Sequence, residues 1–165
     1  ITTNNKFFYQ KIRKIRNLGS EIKFIHDTIG LNSRLDTIQA IILNNKLKNL
    51  TKYNLKRKKI AAEYDKRINN KKILKLHYSK HSIYHQYVII AKQRSKLIKY
   101  FNNLNIQYGF HYPYAIHQLK VFKKYFKKQI LPNSEILSKY GISIPIDPNL
   151  TKKEVSFIIN KLNNF

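Results

Sequence analysis

Three groups of residues carry side chains that could do chemistry. The first is Gly30-Leu-Asn-Ser-Arg-Leu-Asp, a polar, glycine-led segment with Arg34 placed directly before a long apolar-periodic run. Ser33 and Asp36 have the spacing of a capping box, with Asp in place of Glu or Gln, so a helix is expected to begin near Arg34. Asn32 then lies just outside its amino end, where free N–H groups and the positive end of the helix dipole favour anions. Most helix starts hold no ligand, and the spacing alone leaves this one open. The second group is Tyr108-Gly-Phe-His-Tyr-Pro113 with His117. Residues 106–112 read as a strand ended by Pro113, and ligands of α/β proteins gather at strand ends. A His111–Tyr112 pair merely packed at a strand edge fits the same residues. An RNA-recognition motif would need a basic residue ahead of these aromatics, where Gln107 stands, and its companion motif is missing. The third group is His77, His81 and His85. Their spacing brings zinc to mind, but residues four apart on a strand are too distant to share one metal, and no carboxylate lies nearby. No nucleophile–base arrangement, carboxylate pair or glycine-rich phosphate loop is evident, so no catalytic residue and no metal ligand is assigned.

The elements that must position these groups are read from periodicity. Phe7, Phe8, Ile12 and Ile15 share a helical face within Lys6–Asn17, and Leu18-Gly19 reads as its stop. Ser20–Ile29 reads as an irregular connection. From Arg34 to Ile68 the apolar spacing stays helical with no Pro or Gly, which predicts one long helix bridging two layers or domains. Tyr84–Ala91 is β-branched and aromatic, a strand. Helices are expected over 92–103, 121–127 and 133–139, with a strand at Ile142–Ile146. A final helix over Thr151–Leu162 opens on the capping box Thr151-x-x-Glu154. Alternating helices and short strands after residue 78 suggest a small sheet covered by helices.

The 165 residues suit one domain or one domain and a piece of another, and a hydrophobic fraction of 42% is enough for a core. No apolar run approaches a membrane span and no signal peptide is visible, so a cytoplasmic protein without membrane contact is expected. The absence of cysteine excludes disulfides and thiolate metal sites. The chain starts at Ile1 and has no Met, which reads as the downstream part of something longer. A net charge of +25 invites a nucleic-acid partner. Yet lysine supplies nearly all of it, and Lys, Asn, Ile and Tyr together are the residues of A/T-rich codons. Base composition acting on tolerant surface positions accounts for the charge, and no specific nucleic acid is expected.

Taken in order, these segments resemble the carboxy-terminal part of the DegT/StrS-type sugar aminotransferases, pyridoxal-phosphate enzymes of the aspartate-aminotransferase fold. The resemblance rests on Gly30-Leu-Asn-Ser-Arg-Leu-Asp, Gln39-Ala40, Lys46-Leu47, Asn54, Arg57, Ile60-Ala61 and Tyr64, on His85-Gln-Tyr-Val-Ile, on Gly109-Phe-His-Tyr-Pro with His117, and on Leu131-Pro132 and Ile144-Pro-Ile-Asp-Pro-Asn-Leu-Thr. It implies an α/β fold in three parts: residues 1–30 ending the large cofactor-binding domain, 31–70 a long linking helix, and 71–165 a small domain of short strands covered by helices. It also implies that Asn32 binds the cofactor phosphate of the neighbouring subunit in a homodimer. Arg34, His111, Tyr112 and, with them, His117 would bind the substrate there, while His85 is structural.

The whole enzyme would move an amino group, from glutamate, onto a keto-sugar nucleotide for cell-surface polysaccharide synthesis. The wording of the motifs leans towards 3-keto sugars and leaves 4-keto sugars open. In the family the Schiff-base lysine precedes a Gly-Glu-Gly-Gly turn, and both come before the point where this chain starts. The chain alone is therefore expected to be inactive. Its first segment and long helix, made to pack on a large domain, should expose apolar faces. A small basic nucleic-acid-binding protein and an inactive gene remnant are the alternative readings.

Overall fold

The computed structural model describes residues 1–122, 124–126 and 129–165. They divide into two units, Ile1–Asn49 and Leu50–Phe165.

In the first unit, α1 (Lys6–Ile15) is capped by Asn5, whose side chain accepts the Phe8 N–H at 3.2 Å. The expected stop is present: Leu18 and Gly19 both take positive φ, 60° and 78°, and turn the chain back. Ser20–Ile29 is more ordered than its sequence suggests. It holds the antiparallel hairpin β1 (Ser20–Ile22) and β2 (Ile25–His26), turned through Lys23-Phe24 with Phe24 at φ 68°. No Asn-Gly or Gly marks that turn, so the usual hairpin signal is missing.

The carbonyls that α1 leaves unpaired at its C-terminus are then used by the returning chain. Leu31 N–H donates to Ile15 O at 2.7 Å and Ser33 N–H to Arg16 O at 2.9 Å, while Leu18 N–H donates back to Leu31 O at 3.0 Å. Gly30 makes this strap possible, because a Cβ there would lie 2.0 Å from Gly19 N and 2.6 Å from Ile15 O. The following helix, α2 (Thr37–Leu47), starts three residues later than the expected Arg34. Asp36 is its N-cap, with its N–H directed at Gln39 Oε1 at 3.4 Å. Ser33 is not the cap: it lies four residues before the helix, and its backbone N–H bonds Arg16 O. Neither α1 nor α2 contains a buried residue, and Phe7, Ile38 and Ile41 are 63, 73 and 63% exposed. The exposed apolar faces expected of these segments are present.

The second unit opens with α3 (Leu50–Arg67). The single long helix expected over 34–68 is therefore two helices, parted by a turn at Lys48-Asn49 where Asn49 N–H bonds Lys46 O at 3.1 Å. The break falls where Asn44, Asn45 and Asn49 replace good helix formers, and the division between the two units falls at the same place.

A three-stranded antiparallel sheet follows, ordered β3 (Ile73–Lys75), β4 (Tyr87–Ala91), β5 (Gly141–Ile144). Register pairs are Ile73 with Ala91, and Tyr87 and Ile89 with Ile144 and Ile142. Central β4 is an unbroken apolar run because helices cover it: α3 through Ile60, Ala61 and Tyr64, α4 (Arg94–Asn103) through Leu97 and Phe101, and α6 (Lys152–Asn163) through Val155, Ile158, Ile159 and Leu162.

The strand expected at 106–112 does not form. Within it only Gly109 bridges β5, exchanging both backbone bonds with Ser143. In place of a helix at 121–127 there is a 3-10 turn at Lys120–Phe122 after another at Ile116–Gln118; residues 123 and 127 lie outside the described set. Pro132 opens α5 (Pro132–Tyr140). The Thr151/Glu154 box caps α6 as expected, with Thr151 N–H on Glu154 Oε2 at 2.7 Å and Glu154 N–H on Thr151 Oγ1 at 3.2 Å. Among the described residues no helix is long and apolar enough to cross a membrane.

Candidate functional site

The structure places the candidate residues in two clusters, one in each unit. In the first unit, Asn32 is paired through its backbone with Asn17, and its side chain is exposed. With α2 beginning at Thr37, Asn32 does not stand at a helix start, and the dipole argument for an anion there falls away. A different source of positive field is present. Arg34 lines a cleft of about 270 Å³ together with Arg13, Lys14, Arg16, Asn17 and Glu21. Lys14 is engaged by Asp27 at 2.6 Å, with Glu21 at 3.8 Å; its hydrogen bond to Asp27 raises the lysine pKa and lowers that of the aspartate. Arg13, Arg16 and Arg34 pair with no carboxylate among the described residues, though Arg13 donates to Tyr9 OH at 3.1 Å and lies over that ring, so Arg16 and Arg34 are the arginines of the cleft left without a side-chain partner among those residues. Paired guanidinium donors suit a phosphate or carboxylate.

In the second unit, His111 and Tyr112 sit side by side, their rings edge to face at 5.6 Å. Tyr112 is 71% exposed. His111 Nδ1 lies 2.8 Å from Ser143 Oγ on β5. Its ring occupies the space a side chain at residue 109 would fill, since a Cβ on Gly109 would be 2.8 Å from His111 Cε1. His117 is placed differently: it is buried, with Nε2 3.0 Å from Glu135 Oε1 in the first turn of α5. The same carboxylate oxygen accepts Leu131 N–H at 3.1 Å, so Glu135 ties the 116–118 turn to the start of α5. His77 and His81 lie in the irregular segment 76–86, and so does His85, whose exposure does not suit the structural role expected of it. Among the described residues no three His, Cys, Asp or Glu gather as a metal site.

The Glu135 contacts carry a pH dependence. The Leu131 N–H first, and His117 second, hold its carboxyl below the ordinary value of 4.5. A depressed folded-state pKa adds stability that is full above the unfolded value and is lost as pH falls through it. Glu135→Gln is therefore expected to flatten the fall in melting temperature between about pH 6 and pH 3.5, read by circular dichroism. An unchanged acid slope in the variant would show that the carboxylate is not the linked group.

Ser143 and Glu135 were not legible as site residues. The one available signal was a serine inside the apolar run Ile142–Ile146, a polar group where a strand should be buried.

With this geometry established, comparison with known proteins becomes informative. The model of the DegT/DnrJ/EryC1/StrS aminotransferase family matches residues 1–163. The chain belongs to this family. Among curated DegT-type relatives, the dTDP-3-amino-3,6-dideoxy-alpha-D-galactopyranose transaminase of Aneurinibacillus thermoaerophilus is 33% identical over 167 residues, covering 100% of this chain and 46% of its own length. The UDP-2-acetamido-2-deoxy-3-oxo-D-glucuronate aminotransferase of Pseudomonas aeruginosa is 28% identical over 99% of this chain and 46% of its own. The crystal structure of S. venezuelae DesV matches with a TM-score of 0.89 at 26% identity, over 99% of this chain and 45% of that one. A DegT DnrJ EryC1 StrS aminotransferase from Brucella abortus matches with a TM-score of 0.87 at 28% identity, over 99% and 44%. The chain thus spans about half the length of the relatives it matches. Its α/β fold is the carboxy-terminal part of theirs, and the family is pyridoxal-phosphate dependent.

Proposed function

We propose that the whole enzyme to which these residues contribute is a sugar aminotransferase that moves an amino group, from glutamate, onto the keto carbon of a sugar nucleotide for surface-polysaccharide synthesis. The observation that carries this reading is the family match over residues 1–163. The relatives' names favour a 3-keto substrate: three are named for 3-amino-sugar products, one for a 3-dehydro and one for a 3-oxo substrate. The core speaks against a decayed remnant, since drift would have placed polar residues at positions such as Leu97, Phe101 and Leu162, each 0% exposed.

The residues present suit the cofactor's phosphate. Asn32 offers it an exposed side-chain amide, while Arg34, which lines the cleft beside Arg16, suits a carboxylate or phosphate of the substrate. Asn32 would hold the phosphate of pyridoxal phosphate bound in a partner subunit of a homodimer, and Arg34, His111 and Tyr112 would face the sugar nucleotide there. His117, buried against Glu135, would act by holding the 112–118 turn. When bound, the cofactor supplies the electron sink that lets nitrogen move between carbons. This chain's own residues bind and orient: a guanidinium neutralises phosphate charge, and the His111–Tyr112 edge fixes the sugar. We place the enzyme in the cytoplasm and expect the 165-residue chain alone to turn over no substrate.

The test begins with the coding DNA upstream of Ile1, expected to read in frame through a Lys followed by Gly-Glu-Gly-Gly. The complete enzyme is then assayed with glutamate and a 3-keto sugar nucleotide by release of 2-oxoglutarate. Asn32→Ala and His111→Ala are each expected to lower kcat/KM by about 10²-fold, the size of effect that loss of substrate or cofactor positioning produces. Unrelated upstream sequence, or full activity in both variants, would sink the proposal.

A further inference from the structure

We propose that Ser143 is a positioning residue that holds His111 as the neutral tautomer with its proton on Nε2, so that the ring offers an N–H donor to an oxygen of the sugar nucleotide. The ligand part of this inference rests on the aminotransferase reading; the tautomer part does not.

Ser143 is 6% exposed on β5, and both of its backbone groups are spent on Gly109, its N–H to Gly109 O at 2.8 Å and its C=O to Gly109 N–H at 3.0 Å. Its hydroxyl has one partner among the described residues, His111 Nδ1 at 2.8 Å. A buried hydroxyl proton needs an acceptor, and the ring nitrogen is the acceptor within reach. If Nδ1 accepts, a neutral imidazole carries its proton on Nε2. The opposite arrangement, Nδ1–H donating to Oγ, would leave the hydroxyl proton buried without a partner.

Two further contacts fix the ring plane. Gly109 lets the ring lie against the backbone, where a Cβ would meet Cε1 at 2.8 Å and Nδ1 at 3.4 Å. Tyr112 packs edge to face with it at 5.6 Å between ring centres. The half-buried ring is thereby left with one polar nitrogen, Nε2, that is not fully buried and has no partner among the described residues, a neutral donor. Such a donor suits a keto, hydroxyl or phosphate oxygen and does not recognise a cation.

Ring-nitrogen-labelled NMR of this chain tests the first part. In the wild type His111 is expected as a single species protonated on Nε2. Ser143→Ala should produce a mixture of both tautomers. Ser143→Thr, which keeps the hydroxyl, should restore the single species, and Ser143→Val, with the shape of Thr and no hydroxyl, should not. An Nδ1–H species in the wild type, or an unchanged tautomer in Ser143→Ala and Ser143→Val, overturns the inference. In the complete enzyme Ser143→Ala is expected to raise the KM for the sugar nucleotide about tenfold with kcat within about twofold, the loss expected for one hydrogen bond. A fixed tautomer with an unmoved KM overturns the ligand part. A fixed tautomer in an enzyme that aminates no sugar nucleotide overturns the aminotransferase reading and leaves the Ser143–His111 pair standing.

Discussion

Replacing Tyr87 by Ala is expected to cost the second unit about 3–5 kcal/mol of unfolding free energy, the range for losing a large buried aromatic side chain. Tyr87 is 0% exposed at the start of the central strand and packs against Tyr64 and Tyr78 at ring separations of 5.1 and 5.6 Å. Its hydroxyl donates to Asp65 on α3, so one side chain joins the strand, the helix and the 76–86 segment. Burial first, and the neighbouring Asp65 carboxylate second, push its phenol pKa upwards, which keeps the ring neutral at every physiological pH. Truncation leaves a void between two rings that are each fixed elsewhere: Tyr64 by its hydrogen bond to Pro145 O at 2.6 Å and Tyr78 by its bond to Val88 N–H at 2.7 Å. The site therefore cannot collapse easily, which favours the upper part of the range. Tyr87→Phe is the control. Asp65 is exposed and regains water, so this change should cost only about 1 kcal/mol. Urea unfolding of the two variants measures both, and a Tyr87→Ala cost no greater than that of Tyr87→Phe would show that the ring is not a keystone of this core.

Gly30→Ala should have the larger functional consequence. A Cβ at residue 30 would meet three backbone atoms, Gly19 N at 2.0 Å, Leu18 C at 2.5 Å and Ile15 O at 2.6 Å, and none of these can swing aside as a side chain could. The strap must separate from α1, which breaks the three hydrogen bonds of Leu31, Ser33 and Leu18, roughly 2–4 kcal/mol at the usual net value of each. Asn32 and Arg34 lie on that strap. A displacement of about 1 Å is enough to cost about 10²-fold in a positioned site, so the complete enzyme should lose that much kcat/KM. A second readout isolates the cause. Hydrogen exchange at the Leu31 and Ser33 amides should accelerate in the variant while amides of β4 stay protected. Protected strap amides in Gly30→Ala would mean that the backbone accommodates the methyl, and the predicted loss of activity would then have no structural basis.

The elements that could be read in advance are those whose signal is local. α1, α4, α5 and α6 follow from apolar spacing, the Leu18-Gly19 stop, Pro132 and the Thr151/Glu154 box, and β4 follows from a run of β-branched and aromatic residues. The ordered motifs from Gly30 to Thr151 were likewise sufficient to name the family, because each turn or cap imposes a residue type at a stated distance from the next. Several features could not be read this way, since they depend on partners remote in the chain. β3 is three residues long and exists because Ile73–Lys75 meets Ile89–Ala91. The expected strand at 106–112 is replaced by one bridge, because only Gly109 reaches Ser143. Helix α2 begins only at Thr37, after α1's last carbonyls have bonded the amides of Leu31 and Ser33. At the site, residue types nominated Asn32, Arg34, His111 and Tyr112, but Ser143 and Glu135 came into view only when β5 and α5 brought them to the histidine rings. Spacing along a chain encodes what neighbours three or four residues apart will do. A hydrogen bond between residues 111 and 143 has no such period, and folding alone brings its two ends together.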